Sequence, residues 1–495
     1  MKQRLMLKPL RRATALIGAG ALLTLTLAVE AQPFETPPPP AAPRELRISA
    51  PIEQSLPNGL RVVLAERRGV QLVSAQLLVL SGSEADPPQR AGLASLTAGL
   101  LTKGTRLYSA SALAQAAETL GGSLDSAAGW NQSTVAITVA VPQLDAALGL
   151  VGEAVMRPSF TQAEIDRLRI QTLDEMKVAY AQPGTLGSLA AQHMLFGTGP
   201  YGHPASGTPV SLPRITRADL QELHAQRFRP DNAVLVLAGD LDAATALKLA
   251  TKHFGAWQRP AAALPTPSLA STGLPLDLAV IDMPKSGQAA VTVVLPIPDN
   301  EADRAARDVM NSVLGGGYSS RLNQEIRIKR GLSYGAGSRL DARREGGVLR
   351  VSVQTKNESA AEVLALVQGE LDGLMKAPVG NDELAARKAT LIGNFSRSVE
   401  TTAGLNEAVG ALIVAGRSPA ELQRRIETLV AVSPAEIQAY AAATLVPARR
   451  RVVVAGVGAQ FMDALKARGG SESGSVTVIP QDALDLERGD ALTRR

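Results

Sequence analysis

Few side chains in this chain could bind a metal ion through histidine nitrogen or cysteine sulfur. The sequence has no cysteine and four histidines, which are His193, His203, His224 and His253. Two histidines four positions apart on a helix can share one zinc ion, but the last three have no ligand-type residue four positions further on. We therefore interpret the histidines as structural or solvent-exposed side chains.

A run of three glycines at 315–317 is the next candidate for chemistry. Glycine-rich loops can wrap phosphate groups, but a nucleotide-binding P-loop continues with Lys and then Ser or Thr, and no such pair follows here. We expect instead a flexible loop that closely approaches a substrate.

The elements that must position any site are indicated by an internal repeat. A helix start, a proline and an apolar run that ends in glycine occur twice, always 217 positions apart. The pairs are Thr216 and Ser433, Pro230 and Pro447, and Gly239 and Gly456. Asp219 and Glu436 follow the first pair by three positions, as in a capping box. The prolines should end each helix, and the apolar runs predict buried strands.

Similar patterns extend over both halves of the chain. Strands are predicted at 61–64, 72–80, 135–141, 278–281, 290–296 and 347–355. Helices are predicted at 92–101, 109–120, 144–155, 161–181, 302–314, 359–375 and 382–399. This mixture predicts an α+β fold made of two homologous α/β-sandwich halves. We place the halves at 51–258 and 276–467, with a linker at 259–275 and a polar, loosely attached tail at 468–495.

The first residues have the layout of a signal peptide at 1–31. They combine a basic start, an apolar run at 13–29 and a Val29-Glu30-Ala31 cleavage site. An uncleaved membrane anchor is the alternative. A proline-rich spacer follows at 32–50, and no later segment is apolar for long enough to span a membrane. We expect a periplasmic protein.

Charge and aromatic content argue against a nucleic-acid partner. The formal net charge is +5, but 46 basic and 45 acidic residues remain once the leader is removed. The basic character therefore belongs largely to the leader and leaves no patch for phosphates. Aromatic residues make up 3% of the chain, too few for a base-stacking surface.

Five short motifs occur in a characteristic order. They are LPNGLRV at 56–62, RPSF at 157–160, YGHP at 201–204, YSSRL at 318–322 and GLSY at 331–334. Together with the duplication, they resemble the pitrilysin/insulinase family of zinc metallopeptidases, in the subgroup of short two-domain bacterial members. The resemblance covers about residues 56–458, most of the chain after the leader.

The zinc motif of that family is degenerate here. Family members carry H-x-x-E-H on an early helix, where two His bind zinc and the Glu activates a water molecule. By the resemblance, Ser95 and Gly99 stand at the ligand positions and Ala98 at the base position. Glu175 stands where a third ligand would fall, and we interpret it as a solvated helix residue or as the partner of an N–H group or a lysine. We therefore expect no metal cofactor in this chain.

The family's active site has two parts, which we call half-sites. The zinc-motif positions form the first, and the resemblance assigns the second to Arg327 and Tyr334, seven positions apart. In the family, an Arg and a Tyr of the C-terminal domain face the zinc across a chamber. A Tyr hydroxyl or an Arg guanidinium can stabilise the negative charge that develops on a peptide carbonyl under attack. By residue type alone, the Arg could interact only with a helix dipole and the Tyr could simply pack.

The resemblance thus implies a zinc-free subunit of a heterodimeric periplasmic peptidase that degrades unfolded peptides. A homologous partner chain would bring H-x-x-E-H and its zinc, and this chain would bring Arg327 and Tyr334 in trans. We expect the peptide to add as a strand to a sheet edge around 125–134. Two alternatives remain: a structural or assembly protein with a degenerate peptidase fold, and a peptide-binding or chaperone-like module that acts alone.

Overall fold

The computed structural model describes residues 48–266, 273–298, 300, 302–344, 346–467, 476–488 and 492. The predicted signal peptide and most of the predicted spacer lie outside the described residues. Within these ranges, none of the helices combines the length and the apolar character that crossing a bilayer would need. The described residues form two six-stranded sheets with helices packed on them.

The first sheet is built from the first half of the chain. Its strands are β1 Ile52–Ser55, β2 Arg61–Glu66, β3 Leu72–Val79, β4 Asp125–Ala128, β5 Ser133–Ala140 and β6 Ala233–Gly239. Their spatial order is β1-β2-β6-β3-β5-β4. Only β2 and β6 run parallel; the other neighbours are antiparallel. Strand β6 is buried along its whole length because it lies inside the sheet between two covered faces.

The second sheet repeats this arrangement. Its strands are β7 Leu278–Asp282, β8 Ala289–Ile297, β9 Ala336–Arg343, β10 Gly346–Thr355, β11 Arg451–Gly456 and β12 Thr477–Pro480. Their order is β12-β7-β11-β8-β10-β9, so five strands of each sheet match in position and direction. The outer strand differs, because β1 is antiparallel to β2 whereas β12 is parallel to β7.

The helices also follow the duplicated pattern. Those of the first half are α1 Leu93–Leu100, α2 Ala110–Thr119, α3 Leu144–Met156, α4 Gln162–Tyr180, α5 Pro183–Phe196, α6 Arg217–Arg227 and α7 Ala243–Phe254. Those of the second half are α8 Arg304–Leu314, α9 Ala360–Lys376, α10 Asn381–Ser398, α11 Thr402–Val414, α12 Glu421–Ala431, α13 Pro434–Thr444 and α14 Met462–Ala467. The predicted α+β fold with two homologous halves is confirmed.

The repeat seen in the sequence has a direct structural basis. The Thr216 hydroxyl accepts a hydrogen bond from the N–H of Asp219 at 3.2 Å, and the Asp219 carboxylate accepts from the N–H of Thr216 at 2.7 Å. Ser433 and Glu436 form the same reciprocal pair at 3.2 and 2.6 Å. Both predicted capping boxes are therefore present, at the starts of α6 and α13.

One helix of each half packs on the sheet of the other half. Helix α5 packs on β8 and β11 of the second sheet, and α11 packs on β3 and β6 of the first. The buried amide of Asn406 on α11 donates to the carbonyl oxygens of Ser74 at 2.8 Å and Val236 at 2.9 Å. On α5, a side chain at Gly187 would place Cβ 3.1 Å from the Thr292 hydroxyl. This exchange interlocks the two halves.

The loose attachment predicted for the tail is wrong for its described part. Strand β12 pairs with β7, and Ile479, Leu486 and Leu492 are buried against the second sheet and α5. The segment looks polar because its strand is short and ends in Pro480. A proline is tolerated at the end of an outer strand, where its missing N–H breaks no hydrogen bond within the sheet.

Candidate functional site

Helix α1 carries the degenerate zinc-motif positions. The buried carboxylate of Asp86 caps the N-terminus of the helix. Its two oxygens accept hydrogen bonds from the N–H groups of Gly92 and Ala94, both at 2.8 Å. Burial raises the pKa of Asp86 well above its ordinary value, although these N–H groups oppose the shift. Ser95 is half-buried on α1, and Ala98 is completely buried.

Helix α4, which carries the orphan third-ligand position, still packs against α1. A Cβ atom at Gly99 would lie 3.1 Å from Cδ2 of Leu168 on α4, so the leucine occupies space that a larger residue would need. Glu175 is exposed and accepts a hydrogen bond from the Gln171 amide at 2.9 Å. Its interpretation as a solvated, hydrogen-bonded helix residue fits this position.

The two helices therefore keep their packing without keeping a metal site. In the part of the chain that the structure describes, no three His, Cys, Asp or Glu side chains come close enough to hold a metal ion. Serine, alanine and glycine offer no imidazole and no general base at the positions where zinc chemistry needs them. The residues present do not fit a zinc ion.

The four histidines serve packing and hydrogen bonding. The ring of His193 contacts the carbonyl oxygen of Gly202 at 2.8 Å, and that of His224 contacts the carbonyl oxygen of Val155 at 2.7 Å. His253 lies 2.6 Å from the Asp145 carboxylate. The remaining ring, that of His203, is buried with its centroid 5.7 Å from that of Trp130. These positions agree with the structural interpretation of the histidines.

Strand β4 lies beside helix α1, which carries the degenerate zinc motif. The Ser126 hydroxyl of β4 donates to the carbonyl oxygen of Ala98 at 2.7 Å, which fixes the strand against the C-terminal end of α1. Among the described strands, β4 pairs only with β5, so its other edge presents unpaired backbone groups. The sequence placed a peptide-binding edge around 125–134, and an open edge is available there.

The second half-site is a stack of the half-buried Arg327 with two exposed tyrosines, Tyr318 and Tyr334. The guanidinium carbon of Arg327 lies 4.8 Å from the ring centroid of Tyr334 and 5.0 Å from that of Tyr318. Tyr334 is 90% exposed, so it does not pack into a core. Stacking leaves the edge of the guanidinium, with its N–H donors, open to a carbonyl or an oxyanion.

A π-helical turn, Asn323–Ile328, positions this stack. Such turns are wider than α-helical ones and occur often at functional sites. The buried amide of Asn323 donates to the carbonyl oxygen of Tyr318 and accepts from the N–H of Ala336 at 3.4 Å. The hydroxyl of Thr355 donates to the carbonyl oxygen of Leu332 at 2.6 Å. These bonds hold the backbone on both sides of the stack.

Local charges leave the guanidinium of Arg327 available. The neighbouring Glu325 carboxylate pairs with Lys329 at 2.8 Å and with Arg330, and these partners lower the pKa of Glu325. Among the described residues, no acidic group forms an ion pair with Arg327. The guanidinium can therefore offer hydrogen bonds to a bound peptide without first breaking an internal pair.

Tyr318 was not singled out in the sequence, although it stands in the YSSRL motif. The signal that could have found it is its place directly after the glycine run, in a chain with only six tyrosines. The first glycine of the run lies against the protein's own strand, because a Cβ at Gly315 would lie 2.2 Å from the backbone nitrogen of Ser338. Gly315 thus lets the loop reach β9, and Tyr318, which follows the run, is 65% exposed.

Two protein-family descriptions match successive parts of this chain. The model described as Insulinase (Peptidase family M16) matches residues 61–203, and the model described as Peptidase M16 inactive domain matches residues 214–391. A Mycobacterium leprae protein named an uncharacterized zinc protease is 30% identical over 352 residues, which are 70% of this chain and 78% of that protein.

Two further similarities involve proteins described as inactive. A Helicobacter pylori protein named a non-peptidase homolog is 25% identical over 340 residues, covering 69% of this chain and 78% of that protein. A crystal structure of a peptidase M16 inactive domain from Pseudomonas fluorescens matches with a TM-score of 0.75 at 27% identity. The match covers 83% of this chain and 98% of that one.

Proposed function

Because this chain belongs to the insulinase family of peptidases, M16, we propose that it is the zinc-free subunit of a heterodimeric periplasmic peptidase. In this proposal a homologous partner supplies H-x-x-E-H and zinc, and this chain supplies Arg327 and Tyr334. The substrate is an unfolded peptide, cleaved in a chamber that the two chains enclose. Export rests on the leader sequence at 1–31.

The proposal rests on one observation: within one chain, the first half-site lacks its functional side chains and the second keeps them. At the first, helices α1 and α4 keep their packing while Ser95, Ala98 and Gly99 provide no ligands. At the second, Tyr334 stays 90% exposed and stacks on the half-buried Arg327. A tyrosine that served only to pack within the fold would not be left this exposed.

The chemistry assigned to the second half-site is charge stabilisation. When a nucleophile attacks a peptide carbonyl, negative charge develops on the carbonyl oxygen. A Tyr334 hydroxyl or an Arg327 N–H aimed at that oxygen lowers the energy of the transition state more than that of the bound peptide. The open edge of β4 suits an extended peptide, whose backbone would extend the sheet by one strand.

The test is purification of this protein from its own cell together with any chain of the same fold that carries H-x-x-E-H. Zinc and mass analysis should place one zinc ion in the partner and none in this chain. We expect Arg327→Ala and Tyr334→Phe each to lower kcat for peptide hydrolysis by roughly 10²–10³ without dissociating the complex.

Arg330→Ala provides the matched control, since Arg330 lies three residues away and pairs with Glu325. It should leave kcat unchanged. If the Arg327 and Tyr334 variants turn over peptide at the normal rate in an intact complex, the catalytic role is wrong. Peptide binding by this chain alone would then favour the peptide-binding alternative, and the absence of such binding would favour an assembly role.

A further inference from the structure

A cavity of about 490 Å³ lies where segments from both halves of the chain meet. The first half contributes the ends of α4 and α5 and residues 208–210. The second half contributes the end of β7 and the loop after it, and the tail contributes residues 480–482 and 484–487. Pro480 and Asp282 are register partners at the carboxyl ends of the parallel strands β12 and β7. Cavities of this size at such junctions suit small molecules.

The floor of the cavity is apolar. Leu186 of α5 and Leu484 and Leu486 of the C-terminal segment are buried and line it. Val210 and two prolines, Pro209 and Pro284, add apolar surface nearer the opening. A ligand that enters this space must therefore bring an apolar body, since polar atoms would lose their hydration without replacement.

The walls are strongly acidic. Four carboxylates line the cavity against one ammonium group, that of Lys285. The four are Asp282, Asp482, Asp485 and Glu487. Burial, and to a lesser extent the Glu487 carboxylate, raises the pKa of Tyr180, another lining residue, to about 12.

Several of these carboxylate oxygens remain available. Asp282 accepts the N–H of Gly458 at 2.9 Å through Oδ1, and Asp485 accepts the N–H of Glu487 at 2.8 Å through Oδ1. Their Oδ2 atoms, and both oxygens of Asp482, make no hydrogen bond within the described part of the chain. Glu487 differs, because it accepts from the Thr208 hydroxyl and lies 3.5 Å from Arg214.

We propose that this cavity is a binding site for a small organic cation with an apolar body, such as an aryl-alkylamine. The ammonium group pairs with the carboxylates of the cavity walls, and the apolar body lies on the leucines of the floor. The positive charge of the ligand offsets the excess negative charge of the walls, and its apolar body displaces water from the apolar floor. None of the lining residues belongs to either half-site, so the proposal is independent of the proposed function.

Isothermal titration of the protein with three ligands of equal shape tests this inference. The ligands are 4-phenylbutylammonium, 4-phenylbutanol and 4-phenylbutyrate. We expect the cation to bind at least about tenfold more tightly than the alcohol, the size of one charge-assisted hydrogen bond. The carboxylate should not bind, and added salt should weaken the binding of the cation alone.

The double variant Asp482→Asn/Asp485→Asn keeps the shape of the walls and the Oδ1 acceptor of Asp485. It should weaken cation binding at least about tenfold and leave the alcohol unaffected. Asp463→Asn on α14 is the matched control, because it removes one exposed carboxylate outside the cavity. This control variant should bind the cation and the alcohol with unchanged affinity.

Three outcomes would overturn the proposal. Equal binding of all three ligands would mean an apolar cavity without charge selection. Full cation affinity in the double variant would place the cation elsewhere. Tight binding of a Lys- or Arg-containing peptide, with no binding of the free amine, would also contradict it.

Discussion

The guanidinium carbon of Arg343 lies 4.3 Å from the ring centroid of Trp130, although the two residues belong to different halves of the chain. Tyr201 and Phe196 complete the enclosure at 4.7 and 5.2 Å. Arg343 is 4% exposed, and burial lowers its pKa to about 10. It therefore remains charged at neutral pH, and the aromatic rings of the first half stabilise a cation of the second.

Arg343→Ala should lower the free energy of unfolding by about 3 kcal/mol, because it removes the cation–π contacts and leaves a cavity. Arg343→Met should recover part of that loss, since a thioether fills the space and contacts the rings. Urea denaturation measures the free energy of unfolding of both variants. Arg339→Ala on the same strand is the control, because Arg339 is exposed and pairs at 3.3 Å with Asp341. Equal losses for the Arg343→Ala and Arg339→Ala variants would show that the enclosure contributes nothing.

Glu84 should make the stability of the protein depend on pH. This carboxylate is buried near Arg344 and Arg227, accepts the N–H of Gly82 at 2.8 Å, and has its pKa raised by burial from 4.5 to about 7. Between these values the folded state keeps a proton that the unfolded state has released. Stability should therefore fall as pH rises through this range, by about 3 kcal/mol in total.

Glu84→Gln removes this titration while keeping the side-chain shape. We expect the wild-type protein to lose about 3 kcal/mol more than the variant between about pH 5 and about pH 8, as measured by urea denaturation. Glu118→Gln, at an exposed position on α2, is the control and should follow the wild type. Parallel pH profiles of wild type and Glu84→Gln would rule out the raised pKa.

The two capping boxes should contribute equally to stability. Thr216→Ala and Ser433→Ala should each lower the free energy of unfolding by about 1 kcal/mol, since each leaves a helix N–H group without its acceptor. Because the halves are interlocked, both variants should shift one common unfolding transition. Thr251→Ala, which removes a hydroxyl within α7, should change stability by less than about 0.5 kcal/mol. Two separate transitions would contradict the interlocking.

Restoring the zinc ligands should not restore a zinc site. The triple variant Ser95→His/Ala98→Glu/Gly99→His places a carboxylate at a completely buried position and a side chain against Leu168. We expect less than one zinc ion per chain by elemental analysis, and a loss of stability of about 2 kcal/mol or more. Adding Leu168→Ala should recover some stability. Stoichiometric zinc in the triple variant would show that only the ligands were lost.

Much of the fold could be predicted from the sequence because its signals are local. The strand predicted at 278–281 is observed as Leu278–Asp282, and the helix predicted at 144–155 as Leu144–Met156. Hydrophobic periodicity, proline and capping residues act within about one or two turns, so a single window of sequence contains them. Helices α5 and α11 were missed, since each is apolar on faces that a distant sheet covers.

The sequence by itself determined the duplication, the paired caps and the loss of the zinc ligands, because a missing imidazole or carboxylate is visible without coordinates. Only the tertiary structure decided the exchange of α5 and α11, the pairing of β12, the stack at Arg327 and the enclosure of Arg343. These features join residues that are far apart in the chain or depend on a specific backbone path. Their energy comes from packing between elements, which no local pattern encodes.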